Sequence, residues 1–253
     1  MKKKARANKR SRRNNSDDNI AILHDYQARI DGPTKKKWSI HDLKPIKPLT
    51  DTQADMYQSW FQGDNVCAVG SAGTGKTFLA FYLAMNELLE IKEYQQIIIV
   101  RSAVAAREIG HLPGTKEEKE EIFEIPYMDI CNDLFGRKST YKDMKEAGKI
   151  KFMTTSHIRG LTWDNSIIIL DEAQNCDFRE INSVMTRIGQ NTKIIVCGDY
   201  KRQCDLKRHE ETGMGQLVNA FEKMNGFSNV EFTYNDVVRS KIVKEWLRIT
   251  DQS

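Results

Sequence analysis

The chain has 253 residues, 40% of them hydrophobic and 29% charged, with a formal net charge of +4. That length fits one large domain or a domain with an appendage, and the composition is that of a soluble globular chain. No run of ~18 apolar residues is present, which excludes a membrane-spanning helix, and no apolar stretch follows the basic start, which weighs against a secretory signal. Asp17 and Asp18 weigh against a transit peptide.

Residues 1–13 hold eight Lys or Arg and no acid, so the 39 basic and 35 acidic residues resolve into a basic arm on a mildly acidic body. Such an arm reads as disordered and attractive to polyanions, nucleic acid first, or else as a solubilising tail. Residues 1–48 lack apolar periodicity and contain Gly32-Pro33, Pro45 and Pro48, so they are expected to be arm and linker. The folded domain is expected at 49–253.

From Leu49 onward, short apolar runs predict buried parallel strands at Val66–Val69, Ile97–Val100, Ile167–Leu170 and Ile194–Cys197, with a weaker one at Val230–Thr233. Helical spacing predicts helices over Lys76–Ile91, Glu117–Leu134 and Arg179–Ile188. Strands alternating with helices predict an α/β fold, a parallel sheet with helices on both faces. The five cysteines are scattered without a Cys-x-x-Cys pair, so neither a zinc knuckle nor a disulfide framework is signalled. A reducing, cytoplasmic setting is expected.

Gly70-Ser71-Ala72-Gly73-Thr74-Gly75-Lys76-Thr77 matches the phosphate-binding loop pattern throughout, between a predicted strand and a predicted helix. The glycines let successive N–H groups point at phosphates, and the helix N-terminus adds a favourable dipole. Lys76 is expected to reach the β- and γ-phosphates of ATP, and Thr77 to offer its hydroxyl to Mg²⁺. Ile167–Leu170 then delivers Asp171 and Glu172 at a sheet edge. Asp171 is expected to hold Mg²⁺ through its water shell, and Glu172 to orient and deprotonate the attacking water. The strand Ile194–Cys197 leads through Gly198 and Asp199 to Gln203, which is either a reporter of the γ-phosphate or part of a polar turn.

With these residues in place, the chain resembles the PhoH family of phosphate-loop ATPases, itself similar to one RecA-like domain of superfamily-one helicases. The resemblance spans about residues 49–250. It rests on Gly70–Thr77, Val100–Val104 with Gly110–Gly114 and Glu118-Lys119, Arg159-Gly160, Leu170–Asn175, Thr186–Gly189, Gly198–Leu206 and Asp236–Arg239. Ser102 stands where the family usually has Pro, and Cys204 where it often has a hydrophobic residue; neither is a proposed ligand.

The resemblance implies a P-loop NTPase that hydrolyses ATP with Mg²⁺ and acts on RNA or single-stranded nucleic acid. The action would be that of a helicase or translocase, or of a nucleotide-switched binding module. It implies that Gln53 reads adenine, and that Arg239, or else Arg187, stabilises charge at the γ-phosphate, against the plain alternative of a surface salt bridge. Arg101 and His111 fall on the stretch that tends to meet nucleic acid in helicases, although His111 reads more simply as a packed loop residue. Family members form rings, so self-association is expected, with Arg239 or Arg187 facing a neighbour's ATP. Some relatives carry a PIN-type ribonuclease domain; residues 1–48 are too short for one, which leaves a separate nuclease as a possible partner and no membrane partner.

Overall fold

The computed structural model describes residues 38–91, 93–102, 116–199 and 212–251, with backbone alone at 116–120, 250 and 251. Six strands, β1 (Asn65–Gly70), β2 (Gln96–Arg101), β3 (Ile150–Thr154), β4 (Ser166–Leu170), β5 (Lys193–Gly198) and β6 (Phe227–Phe232), form one sheet in the order β3-β2-β4-β5-β1-β6. Every pairing is parallel. This is the expected α/β architecture, a parallel sheet with helices on both faces.

The isoleucine-rich strands are buried on both faces, and their alternation splits the core in two. Ile97, Ile99, Ile167, Ile169 and Ile195 face one apolar cluster, built with α1 (Asp51–Phe61), α2 (Lys76–Glu90), α3 (Lys116–Phe135) and α4 (Thr140–Glu146). Ile98, Val100, Ile168, Leu170, Ile194 and Val196 face the other, built with α5 (Phe178–Met185) and α6 (Met214–Phe221). Successive side chains in a strand point to opposite faces, so a continuous apolar run is what two covered faces require. Each such side chain fully buried stabilises the fold by about 1.5–3 kcal/mol. A last helix, α7 (Lys241–Asp251), follows β6. Among the described residues no helix is long and apolar enough to cross a membrane.

Three expectations shift. The packed unit begins at Trp38 rather than at Leu49. Leu43 is buried and Trp38, Ile40 and Ile46 pack against the first cluster, while Lys44 N donates to Leu134 O at 2.8 Å. These apolar residues follow neither a helical nor a strand period, which is why the stretch read as linker. The strand expected at Val230–Thr233 runs from Phe227 to Phe232; on this sheet edge only Val230 and Phe232 are buried, and the polar Ser228, Asn229 and Glu231 mask it. The helix expected to reach Ile188 ends at Met185, and Ile188 instead pairs with Trp163 in an isolated parallel bridge.

Candidate nucleotide-binding site

The phosphate loop leaves β1 at a position only glycine can fill. Gly70 has φ +122°, and a Cβ there would lie 1.9 Å from Phe232 O on the neighbouring strand. The loop closes onto α2 through Gly75, which caps the helix with a left-handed backbone (φ 87°). It is also held from behind. Val238 N donates to Gly73 O at 3.1 Å, and Gln53 Nε2 donates to Thr74 O at 2.9 Å. Within the loop, Thr74 Oγ1 donates to Ser71 O at 3.0 Å.

Lys76 Nζ donates to Gly70 O and Ser71 O, each at 2.7 Å. The third ammonium donor faces Thr74 Oγ1 at 3.5 Å, a long contact that an incoming anion can displace. Burial holds the Lys76 amine below its usual range; the nearby Cys197, Asp199, Glu172 and Asp171 oppose that shift.

Two strands from β1, beyond β5, the end of β4 carries the acids. Thr77 Oγ1 donates to Asp171 Oδ1 at 2.8 Å, and Tyr127 Oη donates to Asp171 Oδ2 at 2.7 Å. Glu172 follows with a left-handed backbone (φ 51°, ψ 43°), a conformation that costs a non-glycine residue. Gln174 Nε2 donates to that carboxylate, while Gln174 Oε1 accepts from Asp199 N at 3.0 Å. Burial and the neighbouring Asp171 push the Glu172 carboxyl up; Arg101, Gln174 and Lys76 pull it back. A carboxylate raised toward neutrality is a better proton acceptor.

These groups surround one cleft of about 560 Å³, floored by the ends of β4 and β5, with the loop on one side and α3 on the other. Lys76, Thr77, Asp171 and Glu172 line it, together with Ala72, Gly73 and Gly75 of the loop. Arg239 lines it too, and its Cγ lies 3.0 Å from where a Cβ on Gly73 would stand. Arg239 therefore stands at the cleft of its own chain. Tyr234–Asp236 forms a 3-10 turn after β6, and the chain then runs back along the loop.

Arg187 is not brought to the cleft: its Nη1 donates to Leu161 O at 3.1 Å. Gln53 is 2% exposed and lies behind the loop, with Oε1 accepting from Leu49 N at 2.8 Å. Its amide is engaged in bracing the loop rather than lining the cleft. Gln203 and His111 lie outside the described residues.

Arg101 sits at the cleft wall with its guanidinium 5.7 Å from the centroid of the Phe123 ring. Tyr127 and Gln174 went unread as site residues. A tyrosine within a long helix looks like core, and Gln174 had only its place two residues after Glu172 to mark it. The hydroxyl-plus-carboxylate pair of Thr77 and Asp171 fits Mg²⁺, a hard cation that keeps several waters and takes few protein ligands.

A family model described as PhoH-like protein matches residues 45–251. The PhoH-like protein of Bacillus subtilis (strain 168) is 33% identical over 210 residues, covering 83% of this chain and 65% of the relative. Protein PhoH of Escherichia coli (strain K12) is 32% identical over 208 residues, covering 81% of this chain and 58% of the relative. The chain thus spans about three fifths of the length of these relatives. Among solved structures, the large terminase of a thermophilic bacteriophage aligns with a TM-score of 0.48 at 15% identity, over 80% of this chain and 50% of that one. On the family match and the identity to these relatives, the chain belongs to the PhoH-like protein family.

Proposed function

We propose that this protein binds ATP with Mg²⁺, hydrolyses it, and couples the hydrolysis to RNA or single-stranded nucleic acid as a helicase or translocase. The observation that carries the reading is the convergence of Lys76, the Thr77–Asp171 pair and the half-buried Glu172 on one cleft. The loop N–H groups and the Lys76 ammonium, giving up its long contact with Thr74 Oγ1, would take the β- and γ-phosphates. Thr77 and Asp171 would hold Mg²⁺, which supplies charge neutralisation on those phosphates when bound. Glu172 would accept a proton from the attacking water, the water oxygen would bond to the γ-phosphorus, and the bond to the β-phosphate oxygen would break to release ADP. Arg239 would meet the charge that develops at the transferred group.

The basic arm supports a nucleic-acid partner, since eight cations without an acid form the steepest charge feature of the chain. Under the same reading the protein is cytoplasmic and self-associates, because a RecA-like body provides one wall of a cleft that motors of this type close with a second such body. Sedimentation with and without nucleotide tests the association. The decisive experiment measures ATP turnover and strand displacement with RNA, with DNA and with neither. Turnover stimulated by nucleic acid and accompanied by displacement supports the motor. Nucleic-acid affinity that follows the nucleotide state without displacement replaces it with a nucleotide-switched binding module, and absence of turnover removes the ATPase reading.

A further inference from the structure

Helix α3 contributes a group to this site that the phosphate-loop motif does not contain. Tyr127 is fully buried, and its ring is stacked near Phe81 (centroids 6.3 Å apart) and tilted against Phe152 (6.1 Å). Both neighbouring rings are phenylalanines, so packing alone gives no reason for a hydroxyl here. That hydroxyl lies 2.7 Å from Asp171 Oδ2, while Thr77 Oγ1 lies 2.8 Å from Oδ1. Asp171, 4% exposed, is thereby held at both oxygens by donors from two different helices. A carboxylate offers about four lone-pair sites, so two remain to accept from metal-bound water. The ring cannot swing aside, and the two fixed donors set the plane of the carboxylate.

We propose that Tyr127 is a positioning residue for the divalent-cation site, holding Asp171 in the orientation in which it and Thr77 together receive hydrated Mg²⁺. This rests on the ATP-binding reading above and extends it to α3, which also walls the cleft through Asp129 and Asp133. Partners of this kind, one bond removed from a metal, typically change metal affinity or activity by about 10–100-fold when lost. A hydroxyl present only for packing would alter stability and leave the metal dependence alone.

The test is binding of a fluorescent ATP analogue to the full chain, titrated with Mg²⁺ and, separately, in excess chelator. Tyr127→Phe should raise the Mg²⁺ midpoint about tenfold while leaving metal-free nucleotide affinity at the wild-type level. An unchanged midpoint in a folded Tyr127→Phe protein overturns the proposal and leaves the ATP-binding reading intact. Mg²⁺-independent or absent nucleotide binding by the wild-type protein overturns both. Because Tyr127→Phe removes a buried bond, a second measurement uses 3-fluorotyrosine placed at position 127, which keeps the hydroxyl. Its fluorine resonance should shift when Mg²⁺ joins the nucleotide complex, and a resonance that does not move counts against the proposal equally.

Discussion

Thr77 and Asp171, 94 residues apart in the chain, are joined by a 2.8 Å hydrogen bond that ties the first turn of α2 to the end of β4. Lys76, the preceding residue, points its amine at the loop carbonyls of Gly70 and Ser71. In the proposed reading the two neighbours on one helical turn divide the work, one toward phosphate and one toward metal. Lys76→Ala should abolish hydrolysis and weaken ATP binding strongly in a protein that still folds. Turnover at the wild-type level in the purified variant would sink the site assignment.

Glu172→Gln keeps the size of the side chain and removes the proton acceptor. Loss of a general base costs about 10²–10⁴ in rate. The variant should bind ATP with Mg²⁺ and stall, which single-turnover hydrolysis alongside equilibrium binding will separate. Gln174→Ala should lower the rate less, since it frees the Glu172 carboxylate from its tether to Asp199 N without removing it. Equal losses in the two variants would mean that the tether, rather than the acid, controls the step.

Because Arg239 and Lys76 line the same cleft of the same chain, their losses should not complement each other. A mixture of Lys76→Ala and Arg239→Ala subunits should hydrolyse no faster than the sum of the two variants measured alone. Recovery of turnover on mixing would show instead that Arg239 acts across an interface.

The arm is testable apart from the cleft. Single-strand binding weakens with salt with a slope of about −0.7 per phosphate neutralised, so engaging half of the arm's cations gives about −3. Deleting residues 2–13 should flatten the salt dependence of RNA binding by roughly that amount and leave basal ATP hydrolysis near the wild-type rate. Unchanged affinity and slope would make the arm a solvated tail.

On the opposite edge of the sheet from the cleft, at the N-terminal end of β5, Lys193 Nζ lies 3.1 Å from Glu87 Oε2, 2.9 Å from Trp60 O and 3.5 Å from the centroid of the Trp60 ring. Removing one member of a buried ion pair typically destabilises by about 3–5 kcal/mol, because the other charge is left unpaired. Lys193→Met should fall in that range in urea denaturation, whereas the double change with Glu87→Met should recover most of the loss. A single variant as stable as wild type would mean that Glu87 is already neutral in the fold.

The phosphate loop and its acids were legible because their chemistry is local. A strand–glycine loop–helix sequence carries its own backbone geometry, and an apolar run ending in Asp171-Glu172 announces a buried strand with carboxylates at its tip. β3 and α4 were not legible. On the edge strand Lys151 faces solvent between buried Ile150 and Thr154, and a helix of seven residues is too short to display a period. α1 hid for a related reason, since its buried set is only Gln53, Met56 and Trp60 among polar neighbours.

By itself the sequence determined the strand-and-helix alternation, the loop from Gly70 to Thr77, and the placement of Asp171 and Glu172 at a strand end, because each follows from contacts within a few residues. Only the tertiary structure decided which distant side chains complete the site. It put Arg239 on Gly73 of its own loop, turned Gln53 behind that loop, carried Arg187 away to Leu161, and brought Tyr127 onto Asp171. The physical reason is range. Helix packing and strand order, with β5 set between β1 and β4, fix distances between residues far apart in the chain, and no local pattern of apolar and polar residues encodes those distances.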